Sequence, residues 1–267
     1  MVRLSTSLVQ LLPVLAATST HAAPASVPGA VEKRATCNKG AYIIYARDFF
    51  EDNDNSALLE VAKLVSNAIP DSVSVPVQYP AAQFKRGWFD RNVLGNSEFA
   101  ESREAGLDHL SRLVRTYHNE CLGQGRDRAR IVLLGFGSGA AVVTEALQYW
   151  SDKSLPSERG VVAAATFGDP THAGDMPYNE GSTTRDGVDP RPKSGYNALP
   201  ANMAKRLRDF CEFGDPFCDG GDRWDQHNTG VHQRAQRAAD FIIDVYNNGK
   251  NGPYPDKNVD IVTNVNF

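Results

Sequence analysis

Three features of this 267-residue chain have the residue types and the order that acyl-transfer chemistry needs. The first is the turn Gly135-Phe136-Gly137-Ser138-Gly139, set between an apolar run and an amphipathic one. The second is Asp215, inside Cys211-Glu212-Phe213-Gly214-Asp215-Pro216-Phe217-Cys218. The third is His227, twelve residues further on. In serine hydrolases of the α/β type the chain order is nucleophile, acid, histidine. The histidine takes the proton of the nucleophile, and the acid orients the imidazole and stabilises its protonated form. A G-x-S-x-G turn presents that serine between two glycines. Gly135 and Gly139 stand where the pattern wants them, but its middle position is Gly137. Ser138 is one residue out of register: counted from it, the flanks are Phe136 and Ala140. From spacing alone, Asp215 reads equally as a turn residue and His227 as a polar residue beside a helix. Glycine-rich strand-to-helix turns also bind phosphate, although this one fits neither the P-loop nor the G-x-G-x-x-G pattern.

The elements that must position these residues follow from periodicity. Ile131–Phe136 is almost wholly apolar, as a strand buried on both faces should be. Residues 140–150 carry Val142, Val143, Ala146, Leu147 and Trp150 at helical spacing. Before them the pattern predicts a strand over residues 41–46, a helix over 56–69, a strand over 73–79 and a long amphipathic helix over 97–117. After them it predicts a strand at Val161–Phe167, loop over 171–200, a strand over 205–210 and a closing helix over 231–246. Strands alternating with helices argue a three-layer sandwich around a mostly parallel sheet. Sites in such sheets form at the carboxyl ends of strands. That places Gly137, the loop after Ala46 and the loop after Phe210 on one edge.

Residues 1–22 read as a secretory signal peptide, with Arg3 the only charge ahead of an apolar core too short to span a bilayer. Residues 23–34 end in Lys33-Arg34, which resembles the site of a kexin-type processing protease, so a propeptide and a mature chain from Ala35 are expected. The mature part holds 25 basic and 31 acidic side chains, net −6, with no basic tract, which argues against nucleic-acid binding. No second apolar run is long enough for a membrane span. All four cysteines, Cys37, Cys121, Cys211 and Cys218, lie in the mature part. An even count in a secreted chain implies two disulfides, with three possible pairings. There is no Cys-x-x-Cys, no metal-site spacing, no organic-cofactor motif and no Asn-x-Ser/Thr sequon.

Several segments together resemble the fungal cutinase and acetylxylan esterase family. They are Tyr79-Pro80-Ala81, LLGFGSGAA at the turn, Phe167-Gly168-Asp169-Pro170, Met176-Pro177-Tyr178-Asn179-Glu180-Gly181, and CEFGDPFCDG with His227. They run in order over nearly the whole mature chain, and the Asp215-Pro216 pair is closer to the acetylxylan esterase branch. The resemblance implies a cutinase-like α/β-hydrolase without a lid domain, spanning residues 35–247, with a polar tail over 248–267. It also implies disulfides Cys37–Cys121 and Cys211–Cys218. The nucleophile position maps to Gly137, the acid to Asp215 and the base to His227. One oxyanion donor is the backbone N–H of Ser138. The other is a serine or threonine side chain from the loop after the first strand, a position that falls at about Phe49.

Two of the four expected side chains, the hydroxyl at 137 and the polar group near 49, are thus missing together. Loss of the serine alone costs about 10⁶ in turnover in a subtilisin triad. The expectation is a secreted, monomeric member with a site at or near background activity, retained as a binder of ester or acetylated plant cell-wall polysaccharide surfaces, without cofactor or metal. The rivals are a working esterase acting through Ser138, whose side chain should point away from His227, or through a nucleophile not identified in the sequence, and a structural protein with a remnant site. Of the other histidines, His109 and His118 read as surface, His172 as a solvated loop residue, and His232 as structural or solvated. Trp88-Phe89 reads as exposed aromatic surface or a cap on the core, and residues 259–262 as an edge strand.

Overall fold

A computed structural model describes residues 37–82, 97–123, 130–153, 160–195, 198–199 and 205–251. The expected signal peptide, propeptide, Trp88-Phe89 pair and edge strand over residues 259–262 lie outside the described residues. Six strands form one sheet in the order β2-β1-β3-β4-β6-β5, and every pairing in it is parallel. The strands are β1 (Tyr42–Ala46), β2 (Val73–Pro76), β3 (Ile131–Phe136), β4 (Val161–Phe167), β5 (Asn179–Gly181) and β6 (Leu207–Cys211). The helices are α1 (Leu58–Ala68), α2 (Ser97–Gly123), α3 (Ser138–Lys153) and α4 (Trp224–Asn251).

The two faces of β1 show how the layers form, because successive side chains in a strand point to opposite faces. Tyr42 and Ile44 pack with Leu110 and Val114 of α2 and Val142, Val143 and Trp150 of α3. Ile43 and Tyr45 pack with Leu58, Val61 and Val65 of α1 and Val231, Ala235 and Ile242 of α4. Strands β3 and β4 are buried at every position, which is why they read as apolar runs rather than alternating ones.

The strand expected over 73–79 ends at Pro76. Proline has no N–H for the ladder and sits at sheet edges; among the described residues β2 is such an edge, paired with β1 alone. The 171–200 stretch expected to be loop contains β5, three residues paired with β6. Asn-Glu-Gly carries no strand signal, so β5 exists because β6 offers it a partner. Helix α4 begins at Trp224, seven residues before the expected start, so His227 lies in its first turn.

Candidate functional site

Register brings the chemistry-bearing residues to one level. Ala46 lies opposite Gly135, Phe136 opposite Phe167, and Phe167 opposite Phe210. The loops leaving these strands therefore open onto a shared edge. Between β1 and β3 the winding reverses, since α1 covers one face of the sheet and α3 the other. A crevice at such a switch point is where sheets of this kind hold their sites.

The turn from β3 into α3 is tight. Gly137 has φ 52°, the left-handed region that glycine enters without a Cβ clash. Its N–H donates to the Phe167 carbonyl at 2.9 Å, tying the turn to β4. The next residue starts α3, and its free N–H donates to Asp48 Oδ1 at 2.9 Å. A carboxylate at a helix N-terminus is favoured by the orphan N–H groups and the helix dipole. Asp48 lies so close that a Cβ on residue 137 would stand 1.9 Å from Oδ1. The Ser138 hydroxyl points elsewhere, sharing a hydrogen bond of 3.1 Å with the Tyr79 hydroxyl.

Across the crevice, the loop after β6 is closed by the Cys211–Cys218 disulfide. Within it, Asp215 Oδ1 accepts the N–H of Phe217 at 2.7 Å and of Cys218 at 3.1 Å. The other oxygen, Oδ2, lies 2.8 Å from His227 Nδ1. The second ring nitrogen, Nε2, lies 3.3 Å from Asp48 Oδ2. His227 is buried, stacked on Phe136 at 4.8 Å and tilted against Phe217 at 4.6 Å. Gly168 makes room for the ring: with φ 58°, it has no Cβ where one would sit 2.7 Å from His227 Cε1. Burial by itself lowers the imidazolium's pKa, but the carboxylates of Asp215 and Asp48 outweigh it and push the value up to about 10. His227 is thus a cation at neutral pH, donating from both nitrogens.

Asp48 is held in place by its neighbours. Glu51 accepts the N–H of Asp48 at 3.2 Å, the Ser56 hydroxyl at 2.8 Å and the Ala57 N–H at 2.8 Å. Arg47 donates to the Asp48 carbonyl at 2.9 Å and lies over the Tyr79 ring, whose hydroxyl donates to the Arg47 carbonyl. The loop is therefore built around the inward-facing carboxylate rather than free to swing it out.

Of the expected residues, Gly137, Ser138, Asp215 and His227 meet in one place, as described. Phe49 does not face the Ser138 N–H. It is buried against Phe50 and Phe217, with ring centroids at 4.2 and 5.4 Å. The side chain that meets Ser138 belongs to Asp48, one residue earlier. The signal available in the sequence was an acid in the Ala46-Arg47-Asp48 step, a residue type that prefers water unless it has partners. The cysteines pair as Cys37–Cys121 and Cys211–Cys218.

Three histidines depart from expectation. His109 and His118 are buried rather than on the surface, and His109 Nδ1 accepts the Gln78 N–H at 3.0 Å. His172 is buried instead of solvated, in a second cluster at the ends of β4 and β6. There its Nδ1 lies 2.9 Å from Asp209 Oδ2, and Asp209 Oδ1 accepts the Thr166 hydroxyl at 2.9 Å. Arg191 donates to Asp169 Oδ2, and its other terminal nitrogen lies 3.6 Å from Asp209. Asp169 also accepts the Thr171 N–H at 2.8 Å and the Thr144 hydroxyl at 3.0 Å. A loop otherwise poor in apolar residues is anchored this way, which is why His172 reads as solvated in the sequence. His232 is exposed and pairs with Glu60.

Among the described residues, no group of three or more His, Cys, Asp or Glu side chains is arranged to hold a metal ion. No helix among them is long and apolar enough to cross a membrane.

An acetylxylan esterase of Hypocrea jecorina is 26% identical over 223 residues, covering 79% of this chain and 69% of the relative. Cutinase 11 of Verticillium dahliae is 25% identical over 209 residues, covering 72% of this chain and 64% of the relative. The chain thus spans about two thirds of the length of these relatives. The solved catalytic core domain of acetyl xylan esterase from Trichoderma reesei superposes with a TM-score of 0.63 at 25% identity, covering 77% of this chain and 98% of that one. The six-stranded parallel sheet is therefore built like theirs. The cutinase family model matches residues 37–246, from the first disulfide to the last buried turn of α4, and the chain belongs to that family.

Proposed function

We propose that this is a secreted cutinase-family protein whose ester-hydrolysing site is disabled, retained to bind ester-bearing or acetylated polysaccharide surfaces. The observation that carries the reading is the Asp48 carboxylate, which sits against Gly137 and on His227 Nε2. Seryl chemistry needs a hydroxyl in hydrogen-bond reach of an imidazole able to take its proton. Residue 137 has no hydroxyl, and an imidazolium with a pKa of about 10 accepts no proton at pH 7. Ser138 lends the esterase alternative no support, since its hydroxyl is engaged with Tyr79.

Exposed rings near the edge support surface binding. Phe50 and Phe213 are each about half exposed. Phe50 lies edge-on to Trp224 at 5.9 Å, and Trp224 in turn meets His227 and Phe217. Flat rings of this kind suit stacking on sugar rings or acyl chains. The name of the first relative makes acetylated xylan the first surface to try.

The test is hydrolysis of p-nitrophenyl acetate by the secreted protein, beside its retention on acetylated xylan, chitin and cutin. Background hydrolysis with retention on one of them supports the proposal. Rapid hydrolysis overturns the disabled site, and retention on none of the three leaves only a structural role.

A further inference from the structure

We propose that Asp48 and Gly137 form a two-part lock, in which the Asp48 carboxylate takes the space and the hydrogen-bond partners that a serine side chain and a substrate's acyl oxygen would use. The inference rests on the disabled-site reading and deepens it: the site regains ester hydrolysis only when both positions change together. Three contacts define the lock. Oδ1 takes the Ser138 N–H, the donor that would otherwise face a developing oxyanion. Oδ2 takes His227 Nε2, the nitrogen that would otherwise face a nucleophile. The carboxylate also fills the volume beside Gly137, because a Cβ there would overlap it at 1.9 Å. A carboxylate in this position resembles the acid product of ester hydrolysis, held permanently by its own chain.

The two residues depend on each other. Any side chain at 137 collides with Asp48, so Asp48 fits only beside glycine. Conversely, a serine placed at 137 alone meets both a steric clash and an imidazole already holding its proton. Asp48 is buried, and Glu51, Arg47 and Tyr79 hold its loop, so the carboxylate does not simply swing aside. The groups facing His227 are Asp48 from the loop after β1, Asp215 from the loop after β6, Phe136 at the end of β3, Gly168 after β4, Phe217 in the disulfide loop and Trp224 on its own helix. Only the two acids among them titrate.

The experiment compares the wild type with Gly137→Ser, Asp48→Ser and the double variant on p-nitrophenyl acetate, each checked for folding by circular dichroism. Wild type and both single variants should stay at background, and the double variant should exceed them by about 100-fold or more. A Gly137→Ser variant as active as the double overturns the lock while leaving the disabled-site reading intact. A folded double variant at background also overturns it. A rapidly hydrolysing wild type overturns the disabled-site reading itself. Nitrogen-15 NMR of His227 in wild type and Asp48→Asn tests the lock without any serine. The wild-type ring should be doubly protonated at pH 7.5, and the amide variant should lower its titration midpoint by about two pH units. An unchanged midpoint overturns the proposal whatever the double variant does.

Discussion

At the ends of β4 and β6, Asp169 and Asp209 face both Arg191 and His172; beside the turn into α3, Asp48 and Asp215 face His227 alone. Both clusters are buried, and both use carboxylates brought together by the sheet edge. In the first, two acids meet two bases, and threonine hydroxyls and a backbone N–H fill remaining acceptor positions. In the second, one imidazolium serves two acids, and the charge left over rests on backbone N–H groups of Ser138, Phe217 and Cys218. A balanced buried cluster holds a loop in place. Against burial, carboxylates raise both histidines above the ordinary imidazole value, but His172 stands in a loop anchor beside an arginine, whereas His227 carries two acids on one ring. Within the first cluster the two acids differ: His172 and Arg191 hold Asp209 below the usual carboxylate range despite burial, whereas burial raises Asp169 in spite of Arg191.

The comparison breaks first at Arg191. Arg191→Met strips the guanidinium from two buried acids and should cost about 3–5 kcal/mol, read as the loss in unfolding free energy in urea. A cost under about 1 kcal/mol would mean the cluster is not the anchor described here.

The unbalanced cluster should announce itself through pH. The pKa of His227 is raised in the folded state, so its stabilisation is complete below the unfolded value of about 6.5. It is then lost as pH rises towards 10. Over that window the unfolding free energy should fall by up to about 1.4 kcal/mol per pH unit, and His227→Gln should flatten the slope. A stability flat from pH 7 to pH 10 in the wild type would contradict the doubly paired imidazolium.

Smaller effects sharpen the contrast between the acids themselves. Thr166→Val removes a hydroxyl donor from Asp209 and should cost about 1.5–3 kcal/mol, as expected for a hydrogen bond to a charged group. Asp48→Asn gives up an attraction to His227 of about 2.7 kcal/mol for a two-unit midpoint shift, but it also removes the cost of burying one of two acids that share a single imidazolium, so its net cost should stay below that of Thr166→Val. Chemical denaturation of the two variants side by side ranks them, and the reverse order would mean that Asp48, not Asp209, is the structurally demanding carboxylate.

Much of the fold was legible because burial leaves a periodic trace. Ile131–Phe136 and Val161–Phe167 coincide with β3 and β4, since strands covered on both faces must be apolar throughout. The glycine at 137, the acid-then-histidine order and the cysteines were legible too, as residue identities in a known sequence of elements. Less legible were features made by partners rather than by local pattern. Polar β5 forms because β6 lies beside it, and His109 and His172 are buried with distant partners such as Gln78 and Asp209.

Asp48 marks the boundary most sharply. Its neighbours in the chain, Arg47 and Phe49, carry no sign of which way its side chain points. Its partners Ser138 and His227 lie 90 and 179 residues away. The sequence by itself determined the layered α/β scaffold, the glycine at 137 and the order of Asp215 and His227 after it. Only the tertiary structure decided what stands beside that glycine, because register and loop clamping, not spacing along the chain, set which buried charges touch.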